Sequence, residues 1–336
     1  MTTTGEAENA GLIERDPAQL KRAVQDMLSE YLHRPVMVQQ LIRSAAPFAN
    51  RSPAEVLTAK LRGGDKYKLF VKSIGDEERD HPDKQRRDRE MLLYSRLFAG
   101  RPLPVPSWVG GGWNEAIGRH DLYLEHIDDW DLRYQSLEYW YLTADRLGDL
   151  HRELAQARGD LLATDYLLRF DTAHFIAWAH RARASVRLVS PELGRRYERV
   201  VTNFGKGAEL LAAQPPTLVH NDLSAKNVLV DRSAQPARIR FVDWEMAGVG
   251  CGLLDLAHLK YGLRGPEEAR FCDKYFRALQ GSDVLPAAGR ARMAVLASCE
   301  IHETNVRLWY SPRWSLPQEC IEEWVGDTER AIKRIP

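Results

Sequence analysis

Apolar residues recur every three or four positions at Leu20, Val24, Met27, Leu28 and Tyr31, which predicts a helix capped by Asp16 with Pro17 in its first turn. The period then shortens to two. Strand-like runs over 35–42, 54–61 and 67–74 follow, the last two joined across Gly63, Gly64 and Asp65, and they predict an antiparallel meander. A charged stretch over 83–97 carries Met91, Leu92, Tyr94 and Leu97 at helical spacing, Pro102, Pro104 and Pro106 mark a loop, and 121–125 resembles a further strand.

Beyond Asp129 the pattern is mainly helical, with predicted helices over 137–154, 170–188 and 193–213. Two short strands, 228–230 and 239–242, interrupt them around a turn with Ser233 and Pro236. A strand-rich lobe therefore precedes a helical one, with the boundary near 126–131. A tail and helix over 1–34, a lobe over 35–127 and a lobe over 128–336 suit a 336-residue chain, since one domain takes about 100–200 residues. The expected class is α+β.

Composition narrows the partners. Lys plus Arg and Asp plus Glu are equal at 47, so no net field draws the chain to nucleic acid or an anionic membrane. The basic run Lys84, Arg86, Arg87 and Arg89 is interleaved with Asp83, Asp88 and Glu90, as on a solvated helix face. No stretch reaches the roughly 18 apolar residues of a membrane span, and the opening residues lack the apolar core of a secretory signal. Cys251, Cys272, Cys299 and Cys320 are far apart with no zinc-ligand spacing, which fits reduced thiols and a cytoplasmic location.

The chemistry concentrates in two segments. His220, Asn221, Asp222, Leu223, Ser224, Ala225, Lys226 and Asn227 lead into an apolar strand, and the return strand ends at Asp243, before Trp244 and Glu245. Asp222 and Asn227 are thus five apart on a loop, with Asp243 at the end of the hairpin. Phosphoryl transfer needs such a set, because catalysis there is mainly positioning and charge neutralisation. Asp222 is the candidate to orient an attacking hydroxyl and accept its proton. Asn227 and Asp243 are the candidates to hold Mg2+, a hard cation that takes oxygen ligands.

From about Val38 to Leu259 the chain resembles the aminoglycoside phosphotransferase and choline kinase-like family, which has the two-lobed protein kinase-like fold. The resemblance is strongest at 220–227 and 239–245, at Leu147, Gly148, Asp149, Leu150 and His151, and at Asp255, Leu256 and Ala257. It implies a nucleotide-binding first lobe with an antiparallel sheet, a mainly helical catalytic and substrate lobe, and ATP or another nucleoside triphosphate with Mg2+ as cofactors. Asp222, Asn227 and Asp243 match the family's catalytic and metal-binding positions.

By the same resemblance Lys72 is the strand lysine that meets the nucleotide phosphates, and Glu90 is its carboxylate partner, with Asp88 the neighbouring alternative. The backbone of Glu125, His126 and Ile127 corresponds to the adenine-binding hinge. No glycine-rich loop lies between the first two strands; the segment 44–52 stands there, and Asn50 or Ser52 is the candidate phosphate cover. His220 and Asp255 are expected to support the catalytic loop, and His151 to sit in the helical core. Trp244 and Glu245 replace Phe-Gly, and no Ala-Pro-Glu follows, so a protein-kinase activation segment is missing.

The acceptor is less legible. Glu300, Glu303 and Arg307 share a face of a predicted helical segment over 291–324, beside Trp309, Tyr310 and Trp314, which would suit a pocket wall for a molecule joining hydroxyls to a flat portion. Residues 300–336 hold seven acidic against five basic residues, too small an excess to select a polycationic drug. The expected function is transfer of a γ-phosphate to a hydroxyl of an antibiotic, sugar, nucleoside-like compound or metabolite. Phosphorylation of Ser or Thr in a peptide, or a non-catalytic binding role, are the alternatives; retention of Lys72, Asp222, Asn227 and Asp243 argues against the last. Oligomeric state leaves no signature.

Overall fold

Asp16 accepts hydrogen bonds from the N–H groups of Ala18 and Gln19 at 2.8 and 2.9 Å, and Pro17 fills the first turn, so helix α1 runs Pro17–Tyr31 as its spacing predicts. This computed structural model describes residues 12–46, 52–75, 81–314 and 316–336. Strands β1 (Val38–Ala45), β2 (Ala54–Leu61) and β3 (Lys66–Ile74) come next, then a one-turn α2 (Arg89–Leu92), β4 (Trp108–Asn114) and β5 (Arg119–Glu125). The later chain forms α3 (Leu137–Gln156), α4 (Arg158–Ala163), β6 (Leu168–Arg169), α5 (Thr172–Val189), α6 (Pro191–Asn203), α7 (Gly205–Ala212) and β7 (Thr217–Val219). The hairpin β8 (Val228–Asp231) and β9 (Arg238–Phe241) follows, then β10 (Gly248–Gly250), α8 (Leu253–Leu259), α9 (Gly265–Ala278), α10 (Arg290–Tyr310) and α11 (Gln318–Ala331).

The chain divides into two compact units, Met1–Trp130 with Leu229–Glu245, and Asp131–Val228 with Met246–Pro336. The first is built on an antiparallel sheet in the order β1-β2-β3-β5-β4. Leu20, Val24 and Leu28 of α1 pack against Leu57, Leu69, Val71 and Tyr123 on one face of that sheet. Burying each aliphatic side chain contributes about 1.5–3 kcal/mol, so the helix is held by its stripe. Lys72 stands beside Val71 on β3, and the alternation turns it away from that core.

Strand β1 begins later than predicted and continues through Ser44 and Ala45, which pair with Val56 and Glu55. Strand β4 carries no periodic signal because Gly110, Gly111 and Gly112 occupy its centre. Packing accounts for Gly110 and Gly111, whereas a Cβ on Gly112 would meet nothing within 4 Å. A Cβ on Gly110 would lie 2.4 Å from Met27 Sδ, and one on Gly111, where φ is +153°, would lie 2.3 Å from the Asp121 carbonyl oxygen, next to a register shift in the β4–β5 pair.

The predicted helix over 83–97 is also revised. A 3-10 turn (Pro82–Lys84) and the short α2 replace its first half, and a π-turn (Leu93–Phe98) its second. Arg89 is buried and donates to the carbonyl groups of Asp83 and Glu245 at 2.5 Å each, which ties the segment inward before a helix can start. The basic run is therefore not a solvated face: Lys84 pairs with Glu245, Arg86 with Asp88 at 2.8 Å, and Arg87 donates to the Gly75 carbonyl at 2.7 Å.

In the second unit α3 packs against α9, and α10 against α5 and α8. Gly148 of α3 permits the first approach, since a Cβ there would meet the Tyr275 carbonyl oxygen at 2.8 Å. The predicted helix over 193–213 is broken at buried Phe204 into α6 and α7, and the segment over 291–324 is broken into α10, a 3-10 turn at Ser311–Arg313 and α11. A small sheet in the order β6-β10-β7 lies among the helices. Among the described residues no helix is long and apolar enough to cross a membrane.

Just before α1, Arg15 donates to both carboxylate oxygens of Asp121 at 2.6 and 2.7 Å and to Ser73 Oγ at 2.6 Å. Both charged side chains are only 4% exposed. Removing one partner of such a pair strands the other in a dry site. Arg15→Ala should therefore cost about 3–5 kcal/mol in urea denaturation, with Arg15→Lys recovering part of it; an unchanged midpoint would refute this role of the clamp.

Candidate active site

The loop from His220 to Asn227 lies between β7 and β8 and is shaped from beneath by one buried carboxylate. Asp255 on α8 accepts from the N–H groups of His220 at 2.8 Å and Asn221 at 3.0 Å, and from His151 Nε2 at 3.2 Å. A carboxylate only accepts, so His151 carries its proton on Nε2 and takes the Tyr275 hydroxyl at Nδ1, 2.8 Å away. Burial works against ionisation of Asp255, but the His151 hydrogen bond, the electrostatic effect of the His151 and His220 rings and the backbone donor outweigh it and hold its pKa below the ordinary carboxylate range. Gly252 makes room for this brace, because a Cβ there would lie 2.6 Å from His151 Nδ1.

Held in this way, Asn221 adopts a φ of +64°, a conformation Asn tolerates better than most residues. The Asp222 N–H donates to His220 Nδ1 at 3.3 Å, and the 3-10 turn Ala225–Asn227 brings Asn227 Nδ2 to the Asp222 carbonyl at 2.8 Å. The five-residue spacing thus corresponds to one tight turn. The Asn227 side-chain oxygen accepts no hydrogen bond among the described residues, which suits a hard-cation ligand. Lys226, half exposed, lies 3.6 Å from Asp222 Oδ2.

In the first unit Lys72 Nζ lies 2.7 Å from Glu90 Oε2 and 2.5 Å from Asp243 Oδ1. Glu90 Oε1 accepts the Trp244 N–H at 3.0 Å, and Asp88, the alternative partner, is paired with Arg86. Burial works against the Lys72 ammonium, yet Asp243, Glu90 and Glu245 override it and push its pKa well above the ordinary value. Asp243 has a φ of +67° and a side chain one-third exposed, so this carboxylate is turned out of the hairpin while Trp244 is buried against Phe98, ring centroids 5.1 Å apart. Its oxygens suit Mg2+, which takes one or two carboxylates together with substrate phosphates. No group of three or more His, Cys, Asp or Glu side chains able to cage a metal occurs among the described residues.

The remaining candidates are dispersed. Glu125 donates its N–H to the Ser107 carbonyl at 2.9 Å and its side chain pairs with Arg238 at 3.1 Å; His126 N–H donates to the Lys68 carbonyl at 3.3 Å, and the Ile127 N–H has no partner among the described residues. Asn50 lies outside the described residues, and Ser52 is half-buried. In the second unit Glu300 pairs with Lys260 at 2.8 Å and with Arg334, Glu303 with His258 at 2.9 Å, and Arg307 covers the Tyr261 ring at 3.5 Å. Trp309 is packed edge-on against Trp178, whereas Trp314 is exposed and stacked on Tyr310 with an interplanar angle of 5°.

A family model described as the phosphotransferase enzyme family matches residues 50–296. The chain belongs to that family. Among solved structures, this phosphotransferase is similar to a choline kinase from Cryptosporidium parvum Iowa II, at a TM-score of 0.57 and 13% identity over 95% of each chain. It is similar to choline kinase LicA from Streptococcus pneumoniae, at 0.53 and 14% over 94% of this chain and 99% of that one. The GDP complex of aminoglycoside 2′-phosphotransferase-IIIa matches at 0.50 and 14%, over 93% and 98%. At these identities the likeness shows the fold, which is the two-lobed kinase-like one. No curated protein matches the sequence.

Sequence reasoning missed Lys226 and His258. A half-exposed loop lysine carries no pattern, and His258 lies in a helical run, Leu254, Asp255, Leu256, Ala257, His258, Leu259, that reads as core. This phosphotransferase should lose at least about 2 kcal/mol with Asp255→Ala, because each orphaned buried donor costs about 1–3 kcal/mol. Amide exchange at His220 and Asn221 should quicken in parallel. Folded Asp255 titrates below its unfolded value of about 3.9, so its contribution is complete above that pH and is lost as pH falls through the folded pKa. Unchanged exchange at those two amides in the variant would exclude the brace.

Proposed function

We propose that this phosphotransferase moves the γ-phosphate of a nucleoside triphosphate, with Mg2+, to a hydroxyl of a small molecule. The observation that carries the reading is the Lys72, Glu90 and Asp243 cluster, an ammonium held between two carboxylates beside a third, Glu245. Lys72 is suited to meet nucleotide phosphates and is fixed for that by Glu90. Asp243 would hold Mg2+, which when bound neutralises charge on the transferring phosphate, and the open side-chain oxygen of Asn227 in its own unit has the chemistry of a ligand for such an ion. Ile127, with its N–H open, would bind the base. Family membership and the GDP complex of a protein with the same fold support use of a nucleotide.

Asp222 would orient the acceptor hydroxyl and take its proton as the oxygen attacks, and Lys226 would stabilise the charge gathered there. The exposed Trp314, stacked on Tyr310 and 6.5 Å from Trp324, whose Nε1 donates to the Tyr261 hydroxyl at 3.2 Å, offers a flat surface for a small acceptor. Trp309 supports that surface from within the core.

Asp222→Asn should keep Mg-nucleotide affinity and lower turnover by at least about a hundredfold, since general-base help is worth about 10²–10⁴; near-normal turnover would remove Asp222 from the mechanism. Titration calorimetry with Mg-ATP and Mg-GTP should show weaker nucleotide binding for Lys72→Ala and loss of the magnesium dependence for Asp243→Ala. Unchanged affinity in both variants would sink the nucleotide site.

A further inference from the structure

His258 is one helical turn beyond Asp255 on α8, so the helix that fixes the backbone before Asp222 also carries this imidazole. Its Nδ1 lies 2.9 Å from Oε2 of Glu303 on α10, and the Glu303 side chain is 6% exposed. The imidazole is one-fifth exposed; its Nδ1 meets Glu303 as a close ion pair rather than an aligned hydrogen bond, and Nε2 makes no hydrogen bond among the described residues. A buried carboxylate thus holds one nitrogen of the ring while the other stays open. Beyond it on the same unit are Arg307 over Tyr261, then Trp324 and Trp314.

We infer that His258 and Glu303 form an acceptor-orienting pair, in which His258 Nε2–H donates to an oxygen of the acceptor next to the hydroxyl that faces Asp222, with Glu303 the positioning residue. The inference rests on the transfer reading of the Asp222 loop. It names the substrate class: a polyhydroxy or carbonyl-bearing molecule whose neighbouring group is an oxygen, because an ammonium has no lone pair to accept from Nε2–H and meets a like charge there. With Nδ1 facing the Glu303 carboxylate 2.9 Å away, the proton of a neutral ring is placed on Nδ1, leaving Nε2 as an acceptor, and a protonated ring presents Nε2 as a donor. Protonation therefore decides which chemistry the site accepts.

The charged groups around the ring favour protonation. Burial lowers the His258 pKa, the Glu303 carboxylate and the Asp222 charge raise it, Arg307 opposes them, and the outcome lies above the ordinary 6.5. The donor form is complete below that value and is lost as pH rises through the raised one.

The test uses the full chain with Mg-ATP and matched acceptors, glucose against glucosamine and ribonucleosides against their 2′-amino analogues. Wild type should prefer the oxygen member by about 10- to 100-fold in KM, as expected for a hydrogen bond from a charged donor. His258→Asn retains an amide where Nδ1 meets Glu303 and removes the open donor, so it should erase that preference with little change in kcat and none in Mg-ATP affinity. His258→Gln, which restores a donor near Nε2, should recover part of it. Glu303→Gln should move the alkaline limb of kcat/KM to lower pH. The inference is overturned by a wild-type preference for the amine, by an unchanged KM in His258→Asn, or by no turnover of any member while Mg-ATP still binds through Lys72; this last outcome leaves the transfer reading intact. Failure of wild type to bind Mg-ATP overturns both.

Discussion

The Glu90 carboxylate accepts from Lys72 with one oxygen and from the Trp244 N–H with the other. Three segments distant in sequence, β3, α2 and the loop after β9, thereby share one anchor. The double use fixes more than an ion pair would, because the second donor is the backbone immediately after Asp243. The left-handed backbone at Asp243 is of the kind that costs about 1–3 kcal/mol and persists only where surroundings enforce it. Here the Trp244 N–H on Glu90 and the buried Trp244 ring, whose Nε1 donates to the Phe241 carbonyl at 3.0 Å, supply that enforcement.

The second unit solves a similar problem with the charges reversed in role. Asp255 gathers backbone N–H groups rather than an ammonium, and its own orientation comes from a histidine that is oriented in turn by the Tyr275 hydroxyl. The chain from Tyr275 on α9 to His151 on α3 to Asp255 on α8 ties three helices to a single loop. Asp222 itself is left with polar neighbours and partial exposure, which keeps its carboxylate available.

Much of this was legible because the informative residues are close in sequence or sit in strong patterns. Asp222 and Asn227 belong to one turn, Asp243 ends a hairpin whose strands alternate cleanly, and Lys72 interrupts an apolar strand; the fold gathers Lys72, Glu90 and Asp243 into one cluster. What was hidden depends on contacts between distant segments. Strand β4 is masked by glycines, one of which a helix side chain demands, the predicted helix over 83–97 is undone by buried Arg89, and the polar face of α10 is engaged by His258 of the neighbouring α8 and by Lys260 just beyond its end rather than left open. A period-based reading registers which face is polar and is blind to the partner across from it.

The contact between Gly252 and the His151 ring has an evolutionary consequence. Any side chain at 252 must displace an imidazole that cannot move without abandoning Asp255, so the two positions are epistatic: alanine at 252 becomes acceptable only beside a smaller residue at 151, and that residue must still hydrogen-bond the carboxylate. Drift at either site alone meets a barrier, and the pair can change only together, although neither residue belongs to the chemistry it protects.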